Sequence, residues 1–354
     1  MKICSIIGAR PQFIKAAPLS GALRKKFRET IIHTGQHYDQ RLSAIFFEEM
    51  GIPEPDYNLG VGSSSHGKQT ALMMVGIEEV LIKEEPDMVL IYGDTNSTVA
   101  GALTAVKLHY PIGHVEAGLR SFNRGMPEEI NRILADRISD LLFCPTSTAI
   151  ENLKNEGITE GSYLTGDVMY DALLHFREQA SSRTGILDEY DLTPGTFHLL
   201  TVHRAENTDD LRNLRSILSA LSRLAERIVF PVHPRTRKVI GENNIRISKN
   251  ISLIDPVSYL DMICLEQNAD KILTDSGGVQ KEAYLCGKPC ITLRNETEWV
   301  ETVEDDWNIL VGTDPDKIVD AVGNFNPARS RTDVFGYGRA AEKIAAVIEE
   351  YFSH

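Results

Sequence analysis

The sequence lacks an excess of positive charge, a long apolar segment and an even set of cysteines. Among its 354 residues, 37 lysines and arginines face 50 aspartates and glutamates, which gives a net charge of -13. Such an acidic chain is poorly suited to general nucleic-acid binding, so any polyanionic ligand must be held by local positive features. The five cysteines lie scattered through apolar segments, as expected for reduced, buried thiols.

The chain also lacks signals for export, membrane insertion or metal binding. The opening MKICSIIGARPQFIK has only a short apolar run before Arg10 and Lys15 and no cleavage pattern of small residues. No later segment reads as a membrane span. Cys286 and Cys290 have no second ligand pair at matching spacing, so no metal site is expected. We therefore expect a cytoplasmic protein without a membrane partner.

Short apolar segments alternate with stretches of helical periodicity, which predicts an α/β protein with buried parallel strands. A polar stretch at 181–195 divides the chain into two similar halves. We expect an N-terminal domain at 1–180, a C-terminal domain at 190–332 and a helical segment at 333–354, with the two domains meeting at a cleft. The predicted strands are 3–7, 88–92, 111–115, 141–144, 197–202, 228–232, 272–274 and 289–293.

Two glycine-containing stretches resemble loops that bind dinucleotides, but both lack the required context. GYGRAA, which begins at Gly336, follows ARSRTDVF, and this segment does not form a buried strand. GVGSSS, which begins at Gly60, has neither the third glycine nor the strand. No nicotinamide or other cofactor is therefore expected.

Polar and glycine-containing sequences follow five of the apolar segments directly. They read GARPQFIK, GDTNST, EAGLR, HRAEN and DSGG. In an open parallel sheet, ligands bind beyond the carboxyl ends of the strands, so these residues are the first candidates for a site.

DSGG has the clearest features of an anion site. Ser276, Gly277 and Gly278 would open a helix and leave free backbone amides facing a phosphate. Glu282, further along that helix, has a carboxylate that suits a ribose diol. The alternative is a helix capped by serine with an exposed glutamate.

Cations and acids at the other strand ends extend this site. Arg10 and Lys15 follow the first strand, where they could neutralise a diphosphate, and His203 adds a donor from the other domain. Asp94 and Glu116 follow buried strands directly, where an unpaired carboxylate is costly. The alternatives are solvated cations and a structural histidine.

Glu128 lies in the first turn of a helix that begins at Pro127. It could complement the helix dipole or pair with Arg132, four residues later. Taken alone, this position favours a structural role.

The motifs GARPQFIKAAPL, TGQHYD, IYGDTNSTVAGAL, GHVEAGLRS, MPEEINR, VHRAEN and DSGGVQKEAYLCGKP occur in this order. Together they resemble the non-hydrolysing UDP-N-acetylglucosamine 2-epimerases over nearly the whole chain. The resemblance implies two Rossmann-like domains of the glycosyltransferase-B type, a UDP-sugar between them, no cofactor, a cytoplasmic homodimer and a role in polysaccharide biosynthesis.

The resemblance also implies roles for individual residues. Ser276, Gly277, Gly278 and Glu282 match the positions that bind UDP, and Met262 matches a loop at the uracil. Arg10, Lys15 and His203 match residues at the phosphates and the reacting centre. Asp94, Glu116 and Glu128 match three essential carboxylates, and Arg132 matches a helix arginine. Glu128 is thereby assigned to the catalytic set.

The chemistry of the family explains this set of residues. The hydrogen on carbon 2 is too weakly acidic for direct removal, so UDP must begin to leave first. A carboxylate then removes the proton to give a 2-acetamidoglucal, to which UDP adds again. Which of Asp94, Glu116 and Glu128 is base and which is acid stays open, with Glu116 or Asp94 as our hypothesis for the base.

Departures from the family pattern leave the sugar open. GARPQ stands where GTRPE is usual, and Trp299 in RNETEWVE replaces an arginine. SFNRGMPEEINR with TEWVE looks closer to the branch acting on UDP-2,3-diacetamido-2,3-dideoxyglucuronate. Three further alternatives are a glycosyltransferase of the same fold, a hydrolysing epimerase and a UDP-sugar sensor.

Overall fold

The structure, a computed structural model, describes residues 1–36, 51–181 and 185–353, without the side chain of Arg10. The described chain forms two compact units. The first comprises Met1–His175 and Asp333–His354, and the second comprises Phe176–Thr332. Of the helices in these ranges, none has the length and apolar character needed to cross a bilayer.

The first unit contains a parallel sheet of seven strands in its described residues. The strands are β1 (Lys2–Ile7), β2 (Arg28–His33), β3 (Tyr57–Asn58), β4 (Met88–Tyr92), β5 (Ile112–Val115), β6 (Leu141–Cys144) and β7 (Ser162–Leu164). They lie in the order β3-β2-β1-β4-β5-β6-β7, and all neighbouring pairs are parallel. The order reverses between β1 and β4, the type of position where open α/β sheets bind ligands.

The second unit repeats this design with six strands among its described residues. The strands are β8 (Phe197–Thr201), β9 (Arg227–Pro231), β10 (Ile251–Ile254), β11 (Ile272–Thr274), β12 (Cys290–Thr292) and β13 (Asn308–Leu310). The order β10-β9-β8-β11-β12-β13 is again parallel and reverses between β8 and β11. The predicted α/β class with two Rossmann-like domains is confirmed.

Helices connect the strands in both units. In chain order the described helices are α1 (Arg10–Leu23), α2 (His66–Glu84), α3 (Asn96–Lys107), α4 (Pro127–Ile138), α5 (Ser147–Asn155), α6 (Val168–Ser181), α7 (Gly185–Glu189), α8 (Ala205–Thr208), α9 (Leu211–Leu221), α10 (Pro234–Glu242), α11 (Tyr259–Asn268), α12 (Gly277–Cys286), α13 (Val300–Glu304), α14 (Pro315–Asn324) and α15 (Ala340–Tyr351).

The terminal helix α15 belongs to the first unit and packs along α1. Ala341, Ile344, Ala345 and Ile348 are buried and form the apolar face of this helix. Gly336 and Gly338 precede the helix without a strand before them, so GYGRAA does not have the context of a dinucleotide loop.

Candidate active site

In the first unit, the predicted residues collect where β1 and β4 lie side by side. Lys15, on the second turn of α1, forms a buried ion pair with Glu116, which directly follows β5. Glu116 has a φ of 69°, a left-handed conformation that costs a residue with a side chain about 1 kcal/mol. Its amide donates to the Phe143 carbonyl at 3.1 Å, which helps to hold this conformation.

Gly93 makes room for this ion pair. Its φ is 60°, and a Cβ built on it would lie 3.2 Å from Lys15 Nζ and 3.3 Å from Glu116 Oε2. The absent side chain therefore lets the pair approach the loop after β4. Because Asp94 is the next residue of that loop, both predicted carboxylates belong to one small region of the first unit.

Arg132 on α4 holds Asp94 from the other side. Its Nη2 lies 2.5 Å from Asp94 Oδ2, and its Nη1 lies 2.9 Å from Glu129 Oε2. Asn131 donates to the Asp94 carbonyl at 2.9 Å. Arg132 thus forms ion pairs with Asp94 and Glu129. Glu128 is half-buried in the first turn of the same helix.

Glu129 closes the loop before α4. Its carboxylate accepts the Ser121 and Phe122 amides, both at 2.9 Å, and the Ser121 hydroxyl at 3.0 Å. Burial on its own raises the pKa of this carboxyl, but the Ser121 amide and Arg132 more than offset that effect and lower it. Glu129 therefore stays ionised and orients Arg132 towards Asp94. Glu129 was not among the predicted site residues.

Gln12 is a second residue that sequence reasoning missed. It is fully buried at the start of α1, and its Oε1 accepts the Gly8 and Ala9 amides at 2.8 and 3.0 Å. Its Nε2 donates to the Tyr92 carbonyl at 2.7 Å and to Thr95 Oγ1 at 2.9 Å. This pattern requires an amide, which joins the loops after β1 and β4. The departure GARPQ was the available signal.

In the second unit, Asp275 organises the loop after β8. This fully buried carboxylate, which directly follows β11, accepts the His203 amide at 3.1 Å and the Arg204 amide at 3.0 Å. The His203 side chain is 42% exposed, and its Nδ1 lies 3.5 Å from Asp275. Burial lowers the pKa of His203, and the charge of Asp275 opposes this effect. The imidazole of His203 is therefore largely neutral and accessible.

The start of α12 carries the predicted anion site. Ser276 precedes the helix in an extended conformation and makes no capping bond with its side chain. A Cβ on Gly277 would lie 2.1 Å from Glu298 Oε1 and 3.3 Å from Trp299 Nε1, so only glycine fits there. At Gly278 the nearest atom to such a Cβ is Ser276 Oγ at 3.8 Å. The side of the helix end at Gly278 is therefore open, and a phosphate could approach the backbone there.

Two arginines approach Glu298 near that helix end. Arg294 Nη1 lies 3.0 Å from Glu298 Oε2, and Arg204 Nη2 lies 3.8 Å from Glu298 Oε1. Trp299 is buried, and Lys281 Nζ lies 4.0 Å from its ring centroid. Three positively charged side chains, those of Arg204, Arg294 and Lys281, therefore lie around the first turns of α12.

Glu282 lies one helical turn beyond Gly278 and is buried. Glu266 on α11 is completely buried, and burial followed by the Glu282 charge raises its pKa well above the ordinary value. The raised pKa favours the protonated form of Glu266. Met262 is half-buried on the same helix α11 and packs against the core of the second unit.

The predicted residues thus form two groups, one on each unit. Lys15, Asp94, Glu116 and Arg132 come together in the first, with Glu128 on the adjoining helical turn. Asp275 joins His203 to Ser276 in the second, and Glu282 and Met262 lie on neighbouring helices. Within the described ranges, no three His, Cys, Asp or Glu side chains are grouped as a metal ion would need.

Comparisons with known proteins show which family the chain resembles. The family model described as UDP-N-acetylglucosamine 2-epimerase matches residues 21–349. A UDP-N-acetylglucosamine 2-epimerase homolog of Methanococcus maripaludis is 57% identical over 98% of this chain and 99% of its own length. The UDP-2,3-diacetamido-2,3-dideoxy-D-glucuronate 2-epimerase of Pseudomonas aeruginosa is 51% identical over 98% of each chain.

A solved structure is similar over the same length. The crystal structure of Methanocaldococcus jannaschii UDP-GlcNAc 2-epimerase in complex with UDP-GlcNAc and UDP has a TM-score of 0.94 and 44% identity. The match covers 99% of this chain and 100% of that one. Because the family model matches most of the chain and relatives match it over their full length, the chain belongs to the UDP-N-acetylglucosamine 2-epimerase family.

Proposed function

We propose that the enzyme reversibly epimerises carbon 2 of a UDP-2-acetamido sugar, with UDP-N-acetylglucosamine and UDP-N-acetylmannosamine as its main pair. The observation that carries this proposal is the placement of Asp94 and the Lys15–Glu116 pair around Gly93. Two carboxylates, each with its own cation, suit a reaction that removes a proton from one face of a carbon and returns one to the other.

The reaction proceeds by elimination and addition. The bond between carbon 1 and the UDP oxygen breaks, and the electron pair leaves with UDP. The carbon 2 proton passes to a carboxylate, and its bonding electrons form the double bond of the 2-acetamidoglucal. Protonation of carbon 2 from the opposite face and return of UDP to carbon 1 complete the inversion, so atoms and electrons balance without a cofactor.

The second unit supplies the UDP site in this proposal. The α12 start with Ser276, Gly277 and Gly278 binds the diphosphate, Glu282 accepts from the ribose hydroxyls, and Met262 contacts uracil. His203, held through its backbone by Asp275, donates to the leaving phosphate. Arg10 serves the phosphates from the start of α1, by the family resemblance.

The first unit supplies the acids and bases. Glu116 or Asp94 is the base that takes the carbon 2 proton, and Glu128 completes the carboxylate set. Lys15 forms an ion pair with Glu116, and Arg132 forms one with Asp94. A Glu116→Gln enzyme with normal turnover and normal deuterium uptake at carbon 2 would remove Glu116 from this role.

A second substrate has specific support. The relative that is 51% identical is named for UDP-2,3-diacetamido-2,3-dideoxy-D-glucuronate. In addition, Trp299 replaces an arginine of the acetylglucosamine family pattern, by the resemblance described above. Comparing kcat/KM for the two UDP-sugars decides between them. The proposal predicts the higher value for UDP-N-acetylglucosamine.

Incubation with UDP-N-acetylglucosamine alone separates the other enzyme classes. The proposed reaction yields a mixture of two UDP-sugars that reaches the same ratio from either side. Free N-acetylmannosamine would indicate a hydrolysing epimerase. A glycosyltransferase would leave the nucleotide sugar intact until an acceptor is added, and a sensor would bind it without change.

We also infer a cytoplasmic homodimer, from the family resemblance. Leu72, Val75 and Ile82 lie exposed along α2, which gives the first unit an apolar surface suited to a second copy. Light scattering on the purified enzyme is expected to give twice the monomer mass of 39.4 kDa. A monomer at the concentrations that support activity would contradict this inference.

A further inference from the structure

His114 lies completely buried on β5, between two hydrogen-bond acceptors. Its Nδ1 is 2.7 Å from Asp136 Oδ1, and its Nε2 is 2.7 Å from the Gly93 carbonyl oxygen. A neutral imidazole carries a proton on one nitrogen only. At 2.7 Å the other nitrogen would then direct its lone pair at an oxygen lone pair, so both contacts are favourable only when both nitrogens carry protons.

The alternative location for that proton is Asp136, and the surroundings of Asp136 disfavour it. Its Oδ2 accepts from Arg120 Nη1 at 2.7 Å and from the Gly118 amide at 3.1 Å. Burial alone raises the pKa of Asp136, but His114 and Arg120 outweigh it and lower the pKa. Asp136 is therefore a carboxylate.

Three buried residues, His114, Asp136 and Arg120, and the exposed Glu156 have charges that balance. Arg120 also binds Glu156 through two parallel hydrogen bonds, both of 2.7 Å. Two cations and two carboxylates thus form a continuous series of ion pairs from β5 to the end of α5. Buried ion pairs give little net stability, because desolvation offsets their attraction. A role in positioning therefore explains this series of ion pairs better than a role in stability.

His114 links this series of ion pairs to the peptide bond between Gly93 and Asp94. His114 holds the carbonyl of this peptide, and Asn131 and Arg132 hold the carbonyl and carboxylate of Asp94. A rotation of this peptide would displace Asp94 and would change the space beside Gly93, where the Lys15–Glu116 pair lies.

We propose that His114 is a doubly protonated positioning residue, which fixes the Gly93–Asp94 peptide and with it the carboxylates that act on carbon 2. This inference rests on the proposed function for its effect on turnover. The protonation of the ring rests on the geometry of the first unit alone.

The first test counts the ring protons. Nitrogen-15 NMR of the full-length enzyme, with the His114 signals assigned by their loss in His114→Gln, is expected to show two N–H groups on this ring at about pH 7. A single N–H on His114 would overturn the proposal, whether or not the enzyme epimerises any sugar.

The second test separates positioning from folding. His114→Gln is expected to lower kcat roughly 100-fold, as a displaced catalytic group does, while KM and UDP affinity change little. His109→Gln, on the exposed loop before β5, is the matched control with unchanged kinetics. Wild-type kcat in a folded His114→Gln enzyme would overturn the positioning role. If this variant does not fold, Asp136→Asn provides the same kinetic comparison.

Discussion

Arg132 reaches from α4 to the loop after β4, where its Nη2 lies 2.5 Å from Oδ2 of Asp94. Arg132 itself is held by Glu129, whose lowered pKa keeps it ionised. Asp94, one of the two candidate bases, is thus oriented by Arg132, and Arg132 is oriented in turn by Glu129 on the same helix. A proton acceptor in such a place is ready before substrate arrives, without rearrangement of the loop.

Loss of this arginine is expected to impair turnover more than binding. Arg132→Gln should lower kcat roughly 100-fold, because Asp94 loses its orientation. The free energy of unfolding should also fall by about 1–3 kcal/mol, because Glu129 loses a buried charged partner. Arg137→Gln on the exposed end of α4 is the control, with kcat and stability near wild type. Steady-state kinetics and thermal unfolding check both effects, and wild-type kcat in Arg132→Gln would contradict them.

Gly93→Ala tests the space that the ion pair needs. The new Cβ would lie 3.2 Å from Lys15 Nζ and 3.3 Å from Glu116 Oε2, at a φ of 60°. Gly157→Ala has the same backbone strain, with φ at 78°, but its Cβ meets no atom within 4 Å. Both variants are expected to lose about 1 kcal/mol of stability, and only Gly93→Ala should lose kcat. Equal activity in the two variants would contradict the assignment of this region.

Gly277→Ala tests the start of α12 in the same way. The new Cβ would lie 2.1 Å from Glu298 Oε1, so it would displace this carboxylate and disturb its 3.0 Å ion pair with Arg294. Both the Tm and the affinity for UDP should therefore fall. Gly278→Ala has no neighbour closer than 3.8 Å and should retain the Tm. Scanning calorimetry and titration with UDP check this pair. A Gly277→Ala enzyme with wild-type Tm would show that Glu298 does not cover the helix end.

Stability is expected to fall as the solution becomes acidic, partly through His198. This residue is 2% exposed, and neither ring nitrogen has a hydrogen-bond partner among the described residues. Burial lowers its pKa from 6.5, with Asp270 opposing. Below about pH 6.5 the unfolded chain therefore binds a proton that the folded chain does not, and the free energy of unfolding decreases.

His198→Phe should flatten the decline of Tm below about pH 6.5, and His109→Gln, at an exposed site, should leave it unchanged. His33, whose pKa burial also lowers, accounts for a remaining slope. An unaltered pH profile in His198→Phe would contradict the role given to this histidine.

The strand-end residues could be predicted because they follow from local patterns. Segments 88–92, 141–144 and 272–274 were predicted with the bounds that β4, β6 and β11 have. Strands β2, β3, β7, β10 and β13 were not predicted, because they are short or polar at one end and the apolar pattern in them is weak. Parallel pairing with neighbours far along the chain makes them strands.

The supporting residues of the site could not be predicted, because their partners are distant in sequence. Gln12 meets Tyr92, and Asp275 meets His203, only through the neighbouring positions of β1 with β4 and of β8 with β11. At α4 the i,i+4 rule allows a pair between Glu128 and Arg132, but it gives no sign of the pair between Glu129 and Arg132, which depends on the loop at Ser121. His37 and Tyr38 of the TGQHYD motif lie outside the described residues.

The most direct test of the proposed epimerisation is the fate of the carbon 2 hydrogen in heavy water. The enzyme is incubated with UDP-N-acetylglucosamine in deuterium oxide and followed by proton NMR. Proton removal by a carboxylate predicts UDP-N-acetylmannosamine with deuterium at carbon 2, together with gradual loss of the carbon 2 proton signal from the starting UDP-sugar. Inversion with the original hydrogen retained at carbon 2, or release of free sugar without a second UDP-sugar, would contradict the proposal.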